Sequence, residues 1–131
     1  LRELRDLLQQ PLNTVQECGD AAFTLVQQGA ASTVAVSMGE QGAVLAHRHG
    51  VWHAPALEVP ATTGTTGAGD CFLAALVWAL ERGDTPPEAL RWGVAAGAAA
   101  LLSPGTALAQ AADIHRLHAQ VPVPQVITVA R

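Results

Sequence analysis

A cluster of glycines directly before an apolar stretch is the part of the sequence best suited to chemistry. Residues Gly64 to Asp70 read GTTGAGD, and CFLAALVWAL follows them. Glycines let the backbone turn sharply, so several N–H groups can converge where a helix begins. The first N–H groups of a helix also lack partners within the helix and carry a partial positive charge. The pattern therefore predicts a site for an anion such as a phosphate group.

Asp70 admits two interpretations. A carboxylate at the start of a helix often caps it by accepting hydrogen bonds from backbone N–H groups. A carboxylate beside an anion site can instead act as a general base, and phosphoryl transfer needs such a base for the attacking hydroxyl. A dinucleotide site is disfavoured, because the glycine order is G-x-x-G-x-G and no acidic residue ends a following strand.

Composition narrows the possible partners. The chain of 131 residues suits one domain, and 50% hydrophobic residues suffice for a sizeable core. Seven basic against eleven acidic residues give a net charge of −4, so we expect neither nucleic acid nor a membrane surface as a partner. Every basic residue is arginine, which excludes a Walker A loop because that loop needs a lysine. Cys18 and Cys71 lack metal-ligand spacing, and we expect a cytoplasmic location.

No segment is long enough to cross a membrane as a helix. The longest apolar stretches, Cys71–Leu80 and Gly93–Leu102, have about ten residues each, whereas a membrane helix needs roughly 20. They predict buried core helices. The sequence opens with an amphipathic pattern rather than a signal peptide, and its single methionine is Met38, so we expect it to belong to a longer polypeptide.

Periodic patterns in the first half predict the elements that precede the glycine-rich segment. Helical spacing covers residues 1–10, up to Pro11, and then Val15–Gln28, up to Gly29. Short β-branched and apolar segments follow, separated by turn residues. These predict strands over Thr33–Ser37, Ala43–Ala46 and Val51–Ala54, with a hairpin turn at residues 48–50.

Helices predominate in the second half. One is predicted from about Asp70 to Gly83, and another starts at the capping-box pattern of Thr85 and Glu88 and ends near Leu102. A shorter helix over residues 111–120 and a strand or loose tail over 122–131 complete the prediction. This order predicts an α/β fold in which helices flank a mixed sheet, without a domain linker.

Three segments together resemble the PfkB, or ribokinase-like, family of carbohydrate kinases. Residues 65–70 (TTGAGD) are similar to the family's C-terminal signature, and residues 37–42 (SMGEQG) to its S-x-G-x-x-G nucleotide loop. Residues 93–106 resemble its adenine-side helix and the loop that follows. The resemblance implies a ribokinase-like three-layer α/β/α sandwich. Since such kinases are much longer, it also implies that residues 1–131 are their C-terminal nucleotide-binding and catalytic part, without the N-terminal half and the lid.

The resemblance implies roles for individual residues. Asp70 would be the catalytic base, and the backbone N–H groups of Gly67, Ala68 and Gly69 would hold the transferred phosphoryl group. Gly97 is small enough to let adenine lie against its helix. The full set implied to bind ATP is Ser37, Gly39, Glu40, Gln41, Gly42, Gly69, Gly97 and Ala100.

Two metal sites are implied as well. Glu3 would help to hold Mg²⁺, with a solvent-exposed helix carboxylate as the alternative. Gly64 stands where the family often has an aspartate, so a K⁺ site would rely on backbone carbonyls. That site would comprise Gly64, Thr66, Ala100, Ser103 and Gly105.

Within the family, the S-P-G-T loop at residues 103–106 and the opening L-R-E-L are most similar to the phosphofructokinase branch. This implies transfer of the γ-phosphoryl group of ATP to a phosphorylated ketohexose: fructose 6-phosphate, fructose 1-phosphate or tagatose 6-phosphate. A homodimer is expected for the full-length protein. The alternatives are a ribose or nucleoside kinase on the same fold, a non-catalytic nucleotide-binding fragment, and a truncated chain without its own function.

Histidines and tryptophans are the remaining candidates for chemistry. His47 and His49 would share one face of a strand, with His53 close by in sequence. Because no third ligand with suitable spacing follows the pair, we favour an exposed hairpin tip over a metal site. For His115 and His118, one helical turn apart, a metal site is likewise disfavoured. Core packing, rather than base stacking, is the expectation for Trp52, Trp78 and Trp92.

Overall fold

The computed structural model describes residues 14–29, 31–38, 41–57, 68–102 and 111–128. These residues form four helices and four strands. In chain order they are α1 (Val15–Gln27), β1 (Thr33–Ser37), β2 (Ala43–His47), β3 (Gly50–Ala54), α2 (Ala68–Glu81), α3 (Pro86–Leu102), α4 (Ala111–His118) and β4 (Gln125–Ile127). The bounds agree closely with the predicted ones, and the tail that was predicted as strand or loose end contains β4. The helix predicted over residues 1–10 lies outside the described residues.

The described strands form one sheet in the order β1-β2-β3-β4, and every neighbouring pair is antiparallel. The mixed sheet that we expected is therefore not found among them. Short turns join β1 to β2 and β2 to β3, and such turns can connect only antiparallel neighbours. β4 returns from α4 and pairs antiparallel with β3, with Trp52 opposite Val126.

Helices cover both faces of this sheet, because successive side chains of a strand point to opposite faces. Val34 and Val44 pack on one side with the α1 residue Phe23. Ala35 and Leu45 pack on the other side with residues of α2 and α3. This double burial explains why β1 and β2 are continuously apolar instead of alternating. The result is the three-layer α/β/α arrangement implied by the resemblance.

Capping residues set where the helices begin. The Thr14 hydroxyl accepts a hydrogen bond from the Glu17 N–H at 3.0 Å and so caps α1. Likewise, the Thr85 hydroxyl accepts from the Glu88 N–H at 3.4 Å at the start of α3. The Glu88 carboxylate binds His118 of α4 at 2.6 Å, so the second residue of the predicted capping box links α3 to α4.

No helix in the described ranges is long and apolar enough to span a membrane.

Candidate active site

The first turn of α2 holds the residues at the centre of the predicted chemistry. α2 begins at Ala68, so Gly69 and Asp70 are its second and third residues. The Asp70 side chain is exposed to solvent. The N-cap is the residue just before the first helical residue, whereas Asp70 is the third helical residue. Asp70 is therefore not the N-cap of α2. A carboxylate in the first turn still interacts favourably with the helix dipole.

α3 lies directly against α2, and a glycine makes their close approach possible. A Cβ atom on Gly93 would lie 3.0 Å from the Phe72 ring and 3.2 Å from the Phe72 carbonyl oxygen. The short connection between α2 and α3 makes the two helices antiparallel. Gly97 lies one turn after Gly93, and Gly69 lies almost one turn before Phe72. The pair therefore brings Gly69 and Gly97 to the same end.

Besides Gly69 and Gly97, Ala100 of α3 is predicted to bind a ligand, both ATP and K⁺. Its side chain is buried, at 6% exposure, whereas Gly97 is half-buried. α3 ends at Leu102, so the carbonyl of Ala100 belongs to the last turn and has no N–H partner within the helix. Carbonyls of a last turn are suitable ligands for a cation. The potassium role of Ala100 stays a prediction.

The connection between β1 and β2 contains the predicted nucleotide loop. Met38 donates its N–H to the Gly42 carbonyl at 2.8 Å, and Gln41 donates its N–H to the Met38 carbonyl at 3.1 Å. These bonds close a tight loop immediately after Ser37. Because Ser37 pairs with Ala43, the loop sits at the end of the β1–β2 hairpin.

Gly42 has a structural reason to be glycine. Its φ is +92°, in the region that favours glycine. A Cβ atom there would overlap the carbonyl oxygen of Ala54 and lie 2.9 Å from backbone atoms of Pro55 and Ala56. The backbone after β3 therefore packs against the loop. This packing and the predicted nucleotide binding are two separate explanations for a glycine at position 42.

The three clustered histidines of the sequence separate in the structure. His47 and His49 lie at the hairpin turn, with ring centroids 5.1 Å apart. His53 pairs with Val44 at the opposite end of the hairpin, where its Nε2 is 2.8 Å from the Gln41 carbonyl oxygen. Partial burial, followed by the positive charges of His49 and Arg48, lowers the pKa of His47 below 6.5. Among the described residues no three side chains are grouped to hold a metal.

His115 and His118 belong to an aromatic cluster that joins α3 and α4. The His118 ring stacks on Trp92 at 3.7 Å, and the His115 ring meets Trp92 edge-on at 5.3 Å. This packing accounts for both histidines without a metal. Trp92 is buried as predicted, but Trp78 is 47% exposed, so its predicted core position was wrong. The Arg82 guanidinium covers the Trp78 ring at 4.1 Å and stabilises it at the surface.

The roles of all the predicted site residues stay predictions, and eight of these residues lie outside the described ranges. They are Glu3, Gly39, Glu40, Gly64, Thr66, Gly67, Ser103 and Gly105. Sequence reasoning also missed the contact between His53 and the loop. Aligning β2 with β3 around the turn at residues 48–49 would have placed His53 beside the loop, because Val44 follows Gly42 closely.

The sequence is similar to that of known proteins. A family model described as pfkB family carbohydrate kinase matches residues 1–113. The ATP-dependent 6-phosphofructokinase isozyme 2 of Mycobacterium tuberculosis is 42% identical over 116 residues, which are 88% of this chain and 34% of that protein. The 1-phosphofructokinase of Haemophilus influenzae is 32% identical over 100 residues, 76% of this chain and 32% of that protein.

Solved structures show the same likeness. Phosphofructokinase-2 from Escherichia coli in complex with potassium superposes with a TM-score of 0.81 and 33% identity, over 91% of this chain and 38% of that one. Ribokinase from Thermotoga maritima gives a TM-score of 0.70 and 28% identity, over 88% of this chain and 39% of that one. The chain thus spans about a third to two fifths of the length of these proteins.

Proposed function

Because this chain belongs to the pfkB family of carbohydrate kinases, we propose that it is the C-terminal, nucleotide-binding and catalytic part of an ATP-dependent sugar-phosphate kinase. The observation that carries the proposal is the exposed Asp70 in the first turn of α2, next to Gly69 and on the helix that packs against α3. A carboxylate base at a helix N-terminus is what transfer of a phosphoryl group to a hydroxyl needs.

In the proposed mechanism, the oxygen of the acceptor hydroxyl attacks the γ-phosphorus of ATP. Asp70 accepts the proton of this hydroxyl. The new O–P bond forms, the bond between the γ-phosphorus and the bridging oxygen breaks, and ADP leaves. Negative charge on the transferred group is stabilised by the backbone N–H groups of Gly67, Ala68 and Gly69 and by the positive end of the helix dipole. This stabilisation acts on the transition state and therefore on kcat.

Cations would assist at the phosphates. Mg²⁺ would neutralise charge on the ATP phosphates, and Glu3 is the residue proposed to help hold it. For K⁺, the proposed carbonyl ligands include Ala100 at the end of α3. The helix-terminal position of Ala100 supports this assignment, as does the potassium complex of the similar phosphofructokinase-2.

The acceptor is proposed to be fructose 6-phosphate, fructose 1-phosphate or tagatose 6-phosphate. The names of the 6- and 1-phosphofructokinase relatives support a sugar phosphate of this kind. The second candidate is ribose, which the likeness to ribokinase favours. The homodimer expected for the full-length protein stays a prediction.

The proposal is tested with the intact polypeptide that contains these residues. ATP consumption is measured with each of the three sugar phosphates, with ribose and with adenosine. We expect one acceptor to be phosphorylated and Asp70→Asn to lower kcat by about 10²-fold or more, with little change in KM for ATP.

Asp113→Asn is a matched control, because Asp113 is likewise the third residue of its helix, α4, and pairs there with Arg116 at 3.2 Å. We expect this variant to keep full activity. If ATP binds but no acceptor is phosphorylated, the chain is a non-catalytic nucleotide-binding module. If Asp70→Asn retains wild-type kcat, Asp70 is not the base.

A further inference from the structure

His53 contacts the predicted nucleotide loop from the neighbouring strand. Its Nε2 lies 2.8 Å from the carbonyl oxygen of Gln41. A carbonyl oxygen can only accept a hydrogen bond, so Nε2 must carry the proton and donate it. The hydrogen bond therefore fixes both the orientation of the imidazole ring and the position of the Gln41 carbonyl.

This hydrogen bond sets the direction of a peptide group. The bond between Gln41 and Gly42 is trans, and a trans peptide is planar with its C=O and N–H on opposite sides. With the Gln41 carbonyl turned toward His53, the Gly42 N–H must point away from His53. Rotation of this peptide group would break the hydrogen bond to His53.

β3 holds the loop at a second point directly beside the first. The backbone of Ala54, Pro55 and Ala56 packs against Gly42 so closely that no Cβ atom would fit. His53 and Ala54 are consecutive residues, so one strand end fixes two consecutive loop residues. The loop geometry thus depends on β3 as well as on β1 and β2.

His53 acts from the face of the sheet opposite to α2. Val51 packs toward α1, and alternation along β3 places His53 on that same face. The α2–α3 pair covers the other face. His53 can therefore influence a nucleotide on the α2 side only through the loop, which makes it a positioning residue and not a catalytic one.

We propose that His53 is a positioning residue for ATP binding, which holds the Gln41–Gly42 peptide so that the loop presents its backbone to the nucleotide. The inference rests on the proposed function, in which Gln41 and Gly42 belong to the ATP site. It assigns a role to a histidine whose sequence context suggested only a metal ligand or an exposed turn.

Isothermal titration of the full chain with ATP and Mg²⁺ tests this inference. His53→Leu removes the donor, whereas His53→Gln keeps an N–H donor at a similar reach. Since a single hydrogen bond is involved, we expect about three- to tenfold weaker ATP binding in His53→Leu and recovery to within about twofold in His53→Gln. His49→Leu, at the other end of the same hairpin, is the control and should bind ATP as the wild type does.

Each outcome decides a different question. Wild-type affinity in His53→Leu overturns the positioning role while leaving the proposed function intact. Failure of the wild-type chain to bind ATP overturns the proposed function and this inference with it. If His53→Leu does not fold, nitrogen chemical shifts of His53 in the wild type decide: the proton must be on Nε2, and a proton found on Nδ1 alone overturns the inference.

Discussion

Only glycine fits at position 42, for two separate reasons. One is the positive φ of +92°, and the other is the overlap of any Cβ atom with the Ala54 carbonyl oxygen. Gly29 has a positive φ of +78°, but a Cβ atom on it would have nothing within 4 Å, so only the first reason applies to it. The two glycines together separate backbone strain from steric overlap.

Replacing each of these glycines with alanine should therefore have unequal effects. We expect Gly29→Ala to lower the free energy of unfolding by about 1 kcal/mol, and Gly42→Ala by about 3 kcal/mol or more, since it adds overlap to strain. Urea denaturation of both variants measures the difference. Equal losses would contradict the packing of β3 against the loop.

The residue scale also shows where sequence reasoning ends. Gly69 and Asp70 could be placed in the first turn of a helix, because glycines followed by an apolar stretch mark that position. Residue types alone do not predict the contact between His53 and Gln41; the strand register set by the turn at residues 48–49 does. A register shift of one residue would turn His53 to the other face.

Among the elements, α2 and α3 approach each other closely at Gly93. Gly93 lets the backbone of α3 approach Phe72, whose ring and carbonyl oxygen would lie only 3.0 Å and 3.2 Å from a Cβ atom on Gly93. Alanine is normally favoured over glycine in a helix by about 1 kcal/mol. Here the Phe72 ring and backbone must shift by a few tenths of an ångström to make room for the added methyl group.

We therefore expect Gly93→Ala to destabilise the protein by about 1–3 kcal/mol in spite of its higher helix propensity. Phe72→Leu, which shortens the opposing side chain, should make the same substitution less harmful. A double-mutant cycle measured by urea denaturation gives the coupling between the two positions. A stabilising Gly93→Ala would show that α2 and α3 are not in close contact at this point.

Most elements could be predicted because local signals agree with the tertiary structure. The β-branched residues of β1 and the hydroxyl cap at Thr85 each act over a few residues. The sheet arrangement was less accessible. The expected mixed sheet assumed a parallel pair, whereas hairpin turns make β1–β2 and β2–β3 antiparallel, and β4 also pairs antiparallel with β3. The Glu88 carboxylate was predicted to cap its own helix, but His118 of a later helix binds it instead.

At the scale of the whole molecule, folding stability depends on pH wherever a pKa differs between the folded and unfolded chain. Burial, and then the neighbouring charges of His49 and Arg48, lower the pKa of His47 from 6.5. Burial, and then the charge of Glu17, raise the pKa of the Cys18 thiol from 9.0. The two shifts act at opposite ends of the pH range.

The sign of each effect follows from which state binds more protons. Below pH 6.5 the unfolded chain protonates His47 more readily than the folded chain, so stability should fall as the pH decreases. Above pH 9.0 the unfolded chain loses the Cys18 proton first, so stability should fall as the pH increases. Stability should therefore be highest between these two values.

Urea denaturation at several pH values measures how the free energy of unfolding falls below pH 6.5. His47→Gln should reduce the loss of stability between neutral and mildly acidic pH, and Arg48→Gln should reduce it in part by removing one positive neighbour. An unchanged slope in His47→Gln would mean that other groups control this loss of stability.

A hydrogen bond between α1 and the residue that follows β4 has a consequence for the order of folding. The Gln16 side chain donates a hydrogen bond to the Thr128 carbonyl at 3.0 Å, across 112 residues of sequence. Contacts between distant residues form slowly, because a long loop must close first. The β1–β2–β3 hairpins and the α2–α3 pair need only local contacts. During synthesis they can assemble as the chain emerges, whereas the contacts between α1 and β4 must wait until β4 has been made.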